Sequence, residues 1–310
     1  MTANSSYNNT VIVIAGPTAV GKTSLAIQLA QALNTHIISA DSRQCYQELD
    51  IAVAKPSPEQ LTAVKHYFIG SHSIYQKGDA GLFEQYALQS AEEIFTHNKV
   101  AVMVGGTGLY INAFCNGIDS MPAVDNTIRN QVVEQYNAQG LQWLQQQVQE
   151  KDTAFWQVAE QQNPQRLMRA LEFVLSTGES ITNYRKGIAV KRPFRIIKVA
   201  LQLPKELLQN NINTRVDEMV ESGLLKEAEQ LLPHRHLNAL QTVGYTELFD
   251  YFDGKHSLAE AFNLIKIHTR QYAKRQMTMF RKNDDYHWIN LSEKTKEEAV
   301  LEILGLVQNV

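Results

Sequence analysis

Residues 15–24 read "AGPTAVGKTS", and no other stretch limits the fold of this chain so sharply. Gly16, Gly21, Lys22 and Thr23 satisfy G-x-x-x-x-G-K-[ST], a pattern that works only between a strand and a helix. Both neighbours are present: the apolar run Val11–Ile14 comes before it, and Leu25-Ala26-Ile27-Gln28-Leu29-Ala30 follows. Glycines let backbone N–H groups turn inward, the helix N-terminus adds positive potential, and Lys22 supplies a full charge. Such a loop holds phosphate. By this pattern alone its ligand is a nucleotide or some other diphosphate.

The first hundred residues continue the alternation. Strands are expected at Val11–Ala15, His36–Ser39 and Val100–Val104, and helices from about Lys22 to Leu33 and about Leu82 to His97. An irregular stretch containing "AKPSPEQ" separates the second strand from the second helix. Strands alternating with helices imply a parallel sheet with ligands at the strands' carboxyl ends, where the motifs fall. From about Gly117 to Gly187 the chain turns Gln-rich ("LQWLQQQVQE"), helical in pattern and free of convincing strands. Arg195–Leu203 ("RIIKVALQL") then predicts a strand that rejoins the sheet, followed by long helices and a short strand at Tyr286–Ile289. The expected architecture is an α/β core with a helical insertion.

Composition narrows the class. With 44% hydrophobic and 20% charged residues, the chain has enough apolar side chains for a core, so disorder is excluded. No apolar run reaches the length of a membrane span, and "MTANSSYNNT" lacks the apolar centre of a signal peptide. Two cysteines, Cys45 and Cys115, exclude a disulfide scaffold or a cysteine-based zinc site and suit a reducing cytoplasm. The nine histidines form no H-x-x-x-H pair. A net charge of −3 argues against nucleic-acid binding over the whole surface but leaves room for a local basic patch.

A nucleotide hydrolase or switch usually carries a Walker-B aspartate at the end of a later strand, where it holds Mg²⁺. Here the Val100–Val104 strand runs into "VGGTGLY", without a carboxylate. The acid at a strand end is Asp41, inside "SADSRQ". An intact loop without the rest of the nucleotide machinery points to transfer chemistry on a diphosphate.

In order along the chain, "GPTAVGKT", "DSRQ", "AKP", "VGGTGLY", "QRLMRALE" with "TG", "VGYTEL" and "TRQYAKRQMTMFRK" are similar to the motifs of the tRNA dimethylallyltransferases, the IPP transferase family. The resemblance runs from about Val11 to Asn290. It implies a P-loop kinase-like α/β core with a parallel sheet, residues 1–117 and 188–310, and an all-helical insertion at 118–187 that contacts tRNA. It also implies transfer of a dimethylallyl group from dimethylallyl diphosphate to N6 of adenosine at tRNA position 37. The implied partners are the tRNA anticodon stem-loop and dimethylallyl diphosphate, with no membrane and no obligate protein partner.

By this resemblance the diphosphate lies on Gly16, Pro17, Thr18, Ala19, Val20, Gly21, Lys22 and Thr23. Mg²⁺ would be held by Thr23 through the diphosphate. Asp41 is the general base, with Thr107 and Arg215 completing the catalytic set. Ser42, Arg43 and Gln44 present hydrogen-bonding edges to a flipped-out base, which Asp41 and Thr107 also approach. Each has a plainer alternative: a helix cap or Mg²⁺-linked acid for Asp41, a helix cap for Thr107, a solvated helix residue for Arg215. Three stretches depart from the family pattern: Ala52-Val53, His66-Tyr67-Phe68-Ile69-Gly70 and Met279. No role is assigned to residues 50–80.

A net-acidic protein that binds tRNA must concentrate its cations. Arg185, Lys186, Lys191, Arg192, Arg195 and Lys198 follow one another with no acid among them. On the helix from about Ser257 to Lys282, Lys266, Arg270, Lys274 and Arg281 share one stripe, beside an apolar face that includes Tyr272. In the insertion, Arg129 and the run Gln165, Arg166, Leu167, Met168 and Arg169 are the expected RNA contacts. A charge stripe can also be only a solvated face. Two other functions compete: an ATP-dependent small-molecule kinase, in which Asp41 would bind the acceptor hydroxyl, and a non-catalytic RNA-binding module with a relic loop.

Overall fold

The computed structural model describes residues 7–308. It divides into two compact units, one holding the described residues up to Asn116 and from Lys191 on, the other Gly117–Val190. The first unit opens with β1 (Thr10–Ala15), α1 (Lys22–Ala32), β2 (Ile37–Ser39), α2 (Pro58–Ala63), β3 (His66–Tyr67), α3 (Ala80–Phe95), β4 (Val100–Gly105) and α4 (Gly108–Asn116). The second contains α5 (Asn126–Lys151), α6 (Thr153–Trp156) and α7 (Pro164–Thr177). The first then resumes with β5 (Arg195–Gln202), α8 (Lys205–Glu221), α9 (Leu224–Leu231), α10 (Tyr245–Phe252), α11 (Leu258–Phe280), β6 (His287–Asn290) and α12 (Lys296–Gln308).

The six strands form one parallel sheet in the order β3-β2-β4-β1-β5-β6. Its central strands are apolar on both faces because both faces are covered. Val11, Val13 and Ala15 point into one core with Met103, while Ile12 and Ile14 point into another with Val102 and Val104. Helices α3, α4, α10 and α11 supply the first core, and α1 and α12 the second. Register sets Ala15 beside Gly105 and beside Ala200, and Ser39 beside Val104. The loops leaving β1, β2 and β4 therefore emerge side by side.

The expected strands and helices of this unit are present to within two residues at each end. α2 and the two-residue β3 lie in the stretch expected to be irregular, and α4 is not among the expected helices. In the second unit Val132, Leu144, Val148, Phe155, Leu167 and Leu171 make a separate core. Its long helix breaks at Gly140, whose φ of 75° is not helical. No helix among the described residues is long and apolar enough to cross a membrane.

Candidate active site

After β1 the chain turns through Gly16–Gly21 into α1. Gly21 has φ 102°, a region open to glycine and strained for other residues. A Cβ on Gly16 would lie 2.9 Å from the Leu201 carbonyl oxygen. Lys22 Nζ donates to the Pro17 carbonyl at 2.7 Å, which holds the ammonium over the loop. Burial and the neighbouring Arg215 lower its pKa to about 7, against the opposing pull of Asp41. The side chains of Ala19 and Val20 are buried, so these residues offer the cavity only their backbone.

Helix α8 braces the loop from the side. Asn211 Nδ2 donates to the Ala19 carbonyl (3.1 Å) and Arg215 Nη1 to Thr18 Oγ1 (3.4 Å). Arg215 is therefore no solvated helix residue, and burial lowers its pKa. A third support is missing from the sequence reading: buried Gln276 of α11 accepts from Thr18 N–H and donates to the Gly106 carbonyl, both at 2.9 Å. One carboxamide thus ties the phosphate loop to the turn after β4.

That turn is knitted to the one after β2. Thr107 N–H donates to the Ala40 carbonyl, and Ser42 N–H donates to Thr107 Oγ1 at 3.1 Å. Thr107 thus serves the neighbouring turn with its hydroxyl. A Cβ on Gly105 would stand 2.2 Å from the Ala40 oxygen, and one on Gly106 would stand 2.1 Å from Gln276 Nε2. Only glycines allow the two turns and α11 to approach so closely. Asp41 Oδ1 accepts from the N–H groups of Arg43 (2.9 Å) and Gln44 (3.2 Å). The capping alternative for Asp41 therefore describes one of its two oxygens, while the second has no hydrogen-bond partner among the described residues.

Thr18, Lys22, Thr23, Asp41, Arg43 and Arg215 all line one cavity. Lys22, Thr23 and Arg215 also line a second, which adds Ser24, Lys55 and Gln60. The first cavity includes residues to which the sequence reading gave no role: Ala52, Val53 and Ala54, and Tyr272 of α11. Tyr272, assigned to an apolar face, is 36% exposed rather than core. Gln44 also lines this cavity, but its amide donates to the carbonyls of Val53 (3.2 Å) and Ala54 (2.9 Å). Its NH₂ group holds a loop, a task the sequence does not announce.

One expected RNA contact is overturned, and others have partners within the protein. Leu167 is fully buried in the core of the second unit, so its side chain cannot meet a ligand. Arg129 (3.2 Å) and Arg169 (3.9 Å) both face Glu172, and Arg166 faces Glu160. Gln165 is exposed and Met168 packs partly against the core. On α11 one member of the stripe is compensated from α8, since Lys266 pairs with Asp217, while Arg270 donates to the neutral amide of Asn213. Lys274 is exposed. In the run ending at Lys198, Arg192 is a buried structural arginine bound to Glu84 and to the carbonyls of Ala113 and Phe114. Lys198 faces Asp285.

Mg²⁺ fits this donor set only as a partner of phosphate. Among the described residues no group of three or more acids, histidines or cysteines can hold a metal, and Thr23 offers a single hydroxyl. An ion that keeps several waters and takes phosphate oxygens suits so sparse a site.

The family model described as IPP transferase matches residues 44–283. A tRNA dimethylallyltransferase from Christiangramia forsetii is 43% identical over 289 residues, 93% of this chain and 96% of the relative. Another, from Bacteroides thetaiotaomicron, is 41% identical over 297 residues, 96% of each. Among solved structures, the full-length tRNA isopentenylpyrophosphate transferase of Bacillus halodurans shares 32% identity with a TM-score of 0.72, over 96% of this chain and 95% of that one. A eukaryotic dimethylallyltransferase acting on tRNA, 24% identical, shares the fold with a TM-score of 0.77, over 97% of this chain and 80% of its own.

Proposed function

This chain belongs to the IPP transferase family, and we propose that it moves the dimethylallyl group of dimethylallyl diphosphate onto N6 of the adenosine at tRNA position 37. One observation carries the chemistry: the phosphate loop and Asp41 open on the same cavity. N6 attacks the allylic C1, the C1–O bond breaks, and diphosphate leaves with the electron pair. Lys22, Arg215 and the loop amides stabilise the charge that grows on the departing oxygens. The amino group becomes acidic as its nitrogen bonds carbon, and the free oxygen of Asp41 takes the proton. Thr107, by holding Ser42, fixes the turn that aims Asp41. Mg²⁺, held by Thr23 through the diphosphate, would neutralise part of the leaving group's charge.

In the first unit the tRNA anticodon stem-loop would meet Ser42, Arg43, Gln44 and Lys274. For the second unit, taken by itself, the proposed RNA contacts are Arg129, Gln165, Arg166, Met168 and Arg169. Phosphate contacts would supply affinity and base contacts the choice of site. Cytoplasmic action suits two cysteines that are free and buried. The ATP-dependent kinase is not favoured, because the relatives are named for prenyl transfer to tRNA.

The test is incubation with dimethylallyl diphosphate, Mg²⁺ and unmodified tRNA, then nuclease digestion and mass spectrometry. N6-dimethylallyl adenosine next to the anticodon and free diphosphate are expected. Unmodified tRNA beside ATP-dependent phosphorylation of a small acceptor would reverse the assignment.

A further inference from the structure

Two features lie outside the chemistry described so far: the loop at 50–56 and the "VGYTEL" stretch, residues 243–248. The loop is a wall of the reaction cavity, to which Ala52, Val53 and Ala54 contribute. Ile212, Val216 and Met219 of α8 line the same space. Together they give an apolar lining beside the phosphate loop, where an allylic chain would lie.

Two turn bonds of its own, Ala54 N–H to the Ile51 carbonyl (3.0 Å) and Lys55 N–H to the Asp50 carbonyl (3.1 Å), close the wall around a strained residue. Ala54 has φ 48°, in the left-handed region that a residue with a Cβ enters at a cost. Gln44 holds the wall's far end through the Val53 and Ala54 carbonyls, and one carboxylate on α9 holds its near end. Glu227 Oε2 accepts from the N–H groups of Asp50 (3.1 Å) and Ile51 (2.7 Å), and Oε1 accepts from Ala52 N–H (3.0 Å). Three successive backbone donors converge on a single side chain. Glu227 itself lines neither cavity.

The 243–248 stretch completes this clamp. Tyr245 is fully buried, and its phenol donates to Glu227 Oε1 at 2.7 Å. Gly244 makes room for the wall, since a Cβ there would stand 3.1 Å from Ala52 Cβ. Glu247 fixes the start of α10 by accepting from Gly244 N–H at 2.8 Å, and it meets His268 Nδ1 of α11 at 2.6 Å.

We propose that Glu227 is the positioning residue for the wall that confines the prenyl group, and that it thereby sets how bulky an allylic diphosphate the site accepts. This rests on the prenyl-transfer function above. The carboxylate is required because a glutamine must turn its NH₂ group towards backbone donors in either orientation. The wall would then move away from its present place while the phosphate loop stays intact.

The experiment compares wild type, Glu227→Gln and Tyr245→Phe in steady-state transfer from dimethylallyl diphosphate and from the longer geranyl diphosphate. Glu227→Gln is expected to raise KM for dimethylallyl diphosphate about tenfold, with kcat and the KM for tRNA little changed. The ratio of kcat/KM for geranyl over dimethylallyl donor should rise. Tyr245→Phe keeps the three backbone bonds and should shift both quantities the same way by less. Loss of both donors and tRNA by one common factor, alongside a lower melting temperature, would make Glu227 merely structural and overturn the assignment. So would unchanged kinetics in an active background. A wild type inactive with both donors would overturn the function itself, and this inference with it.

Discussion

The phosphate loop at 16–23 and the wall at 50–56 border one cavity and are built in opposite ways. The phosphate loop carries most of its instructions locally: Gly21 for the left-handed turn, Lys22 folded onto the Pro17 carbonyl, and α1 starting at once. The wall carries the short "AKP" and two turn bonds of its own, but Glu227, which takes three of its backbone donors, lies 177 residues beyond Asp50. A phosphate cradle acts through backbone geometry, so few residue types can build it. An apolar wall needs only shape, so its own residues can vary while distant side chains fix its place.

The largest expected effect tests the local half of this contrast. Lys22→Ala should lower kcat/KM for dimethylallyl diphosphate by about 10²–10³-fold, since it removes the ammonium group that faces the leaving diphosphate. Filter retention should show nearly unchanged tRNA binding. A matching loss of tRNA affinity would mean that the loop also organises the RNA surface.

Gln276 is where the phosphate loop, too, depends on a distant residue. Gln276→Leu leaves the Thr18 N–H and the Gly106 carbonyl without their partner, which costs about 1–3 kcal/mol for each buried group. Denaturant melts should register the loss, and KM for the diphosphate donor should rise. If stability falls while that KM stays put, the loop keeps its shape unaided and the contrast sharpens.

Inside the wall, Val53→Ala trims an apolar side chain and leaves every clamp bond in place. The change in donor KM should be smaller than for Glu227→Gln, a few-fold, because the two methyl groups removed, at roughly 0.8 kcal/mol each when fully buried, belong to a half-buried side chain. A larger effect from Val53 would mean that the wall's own residues, rather than its remote clamp, decide the fit.

The smallest effect concerns the RNA surface. Lys274→Gln should reduce the log–log slope of tRNA affinity against salt by about one. Lys266→Gln should reduce it less, because Lys266 already pairs with Asp217. Equal slopes for the two variants would count against the correction made to the α11 stripe.

Legibility followed locality. The β-branched runs at Val11–Ala15 and Val100–Val104 announce buried strands, because a strand covered on both faces needs apolar residues at every position. "SADSRQ" and "VGGTGLY" were readable as strand-end turns, and the structure places them against each other through Thr107 and Ser42. The two-residue β3 left no periodic signal. Leu167 was grouped with RNA contacts because it sits between Gln165 and Arg169, but on a helix that spacing turns it into the core. The loop-holding task of Gln44 leaves no signal, since nothing in its neighbours reveals that two carbonyls nine and ten residues away occupy its amide. Glu227 looked like any surface glutamate of an amphipathic helix.

The central claim is that one cavity holds the leaving group on the phosphate loop and deprotonates the acceptor at Asp41. Single-turnover transfer by Asp41→Asn tests it most directly, with bound tRNA and saturating dimethylallyl diphosphate. The substitution keeps the size of the side chain and the Oδ1 contacts to Arg43 and Gln44, and it removes the basicity. The rate should fall by about 10²–10⁴-fold, the usual contribution of a general base, with modest change in the affinity for either substrate. A near-normal rate, with only the affinity for tRNA reduced, would make Asp41 a holder of the turn and contradict the account.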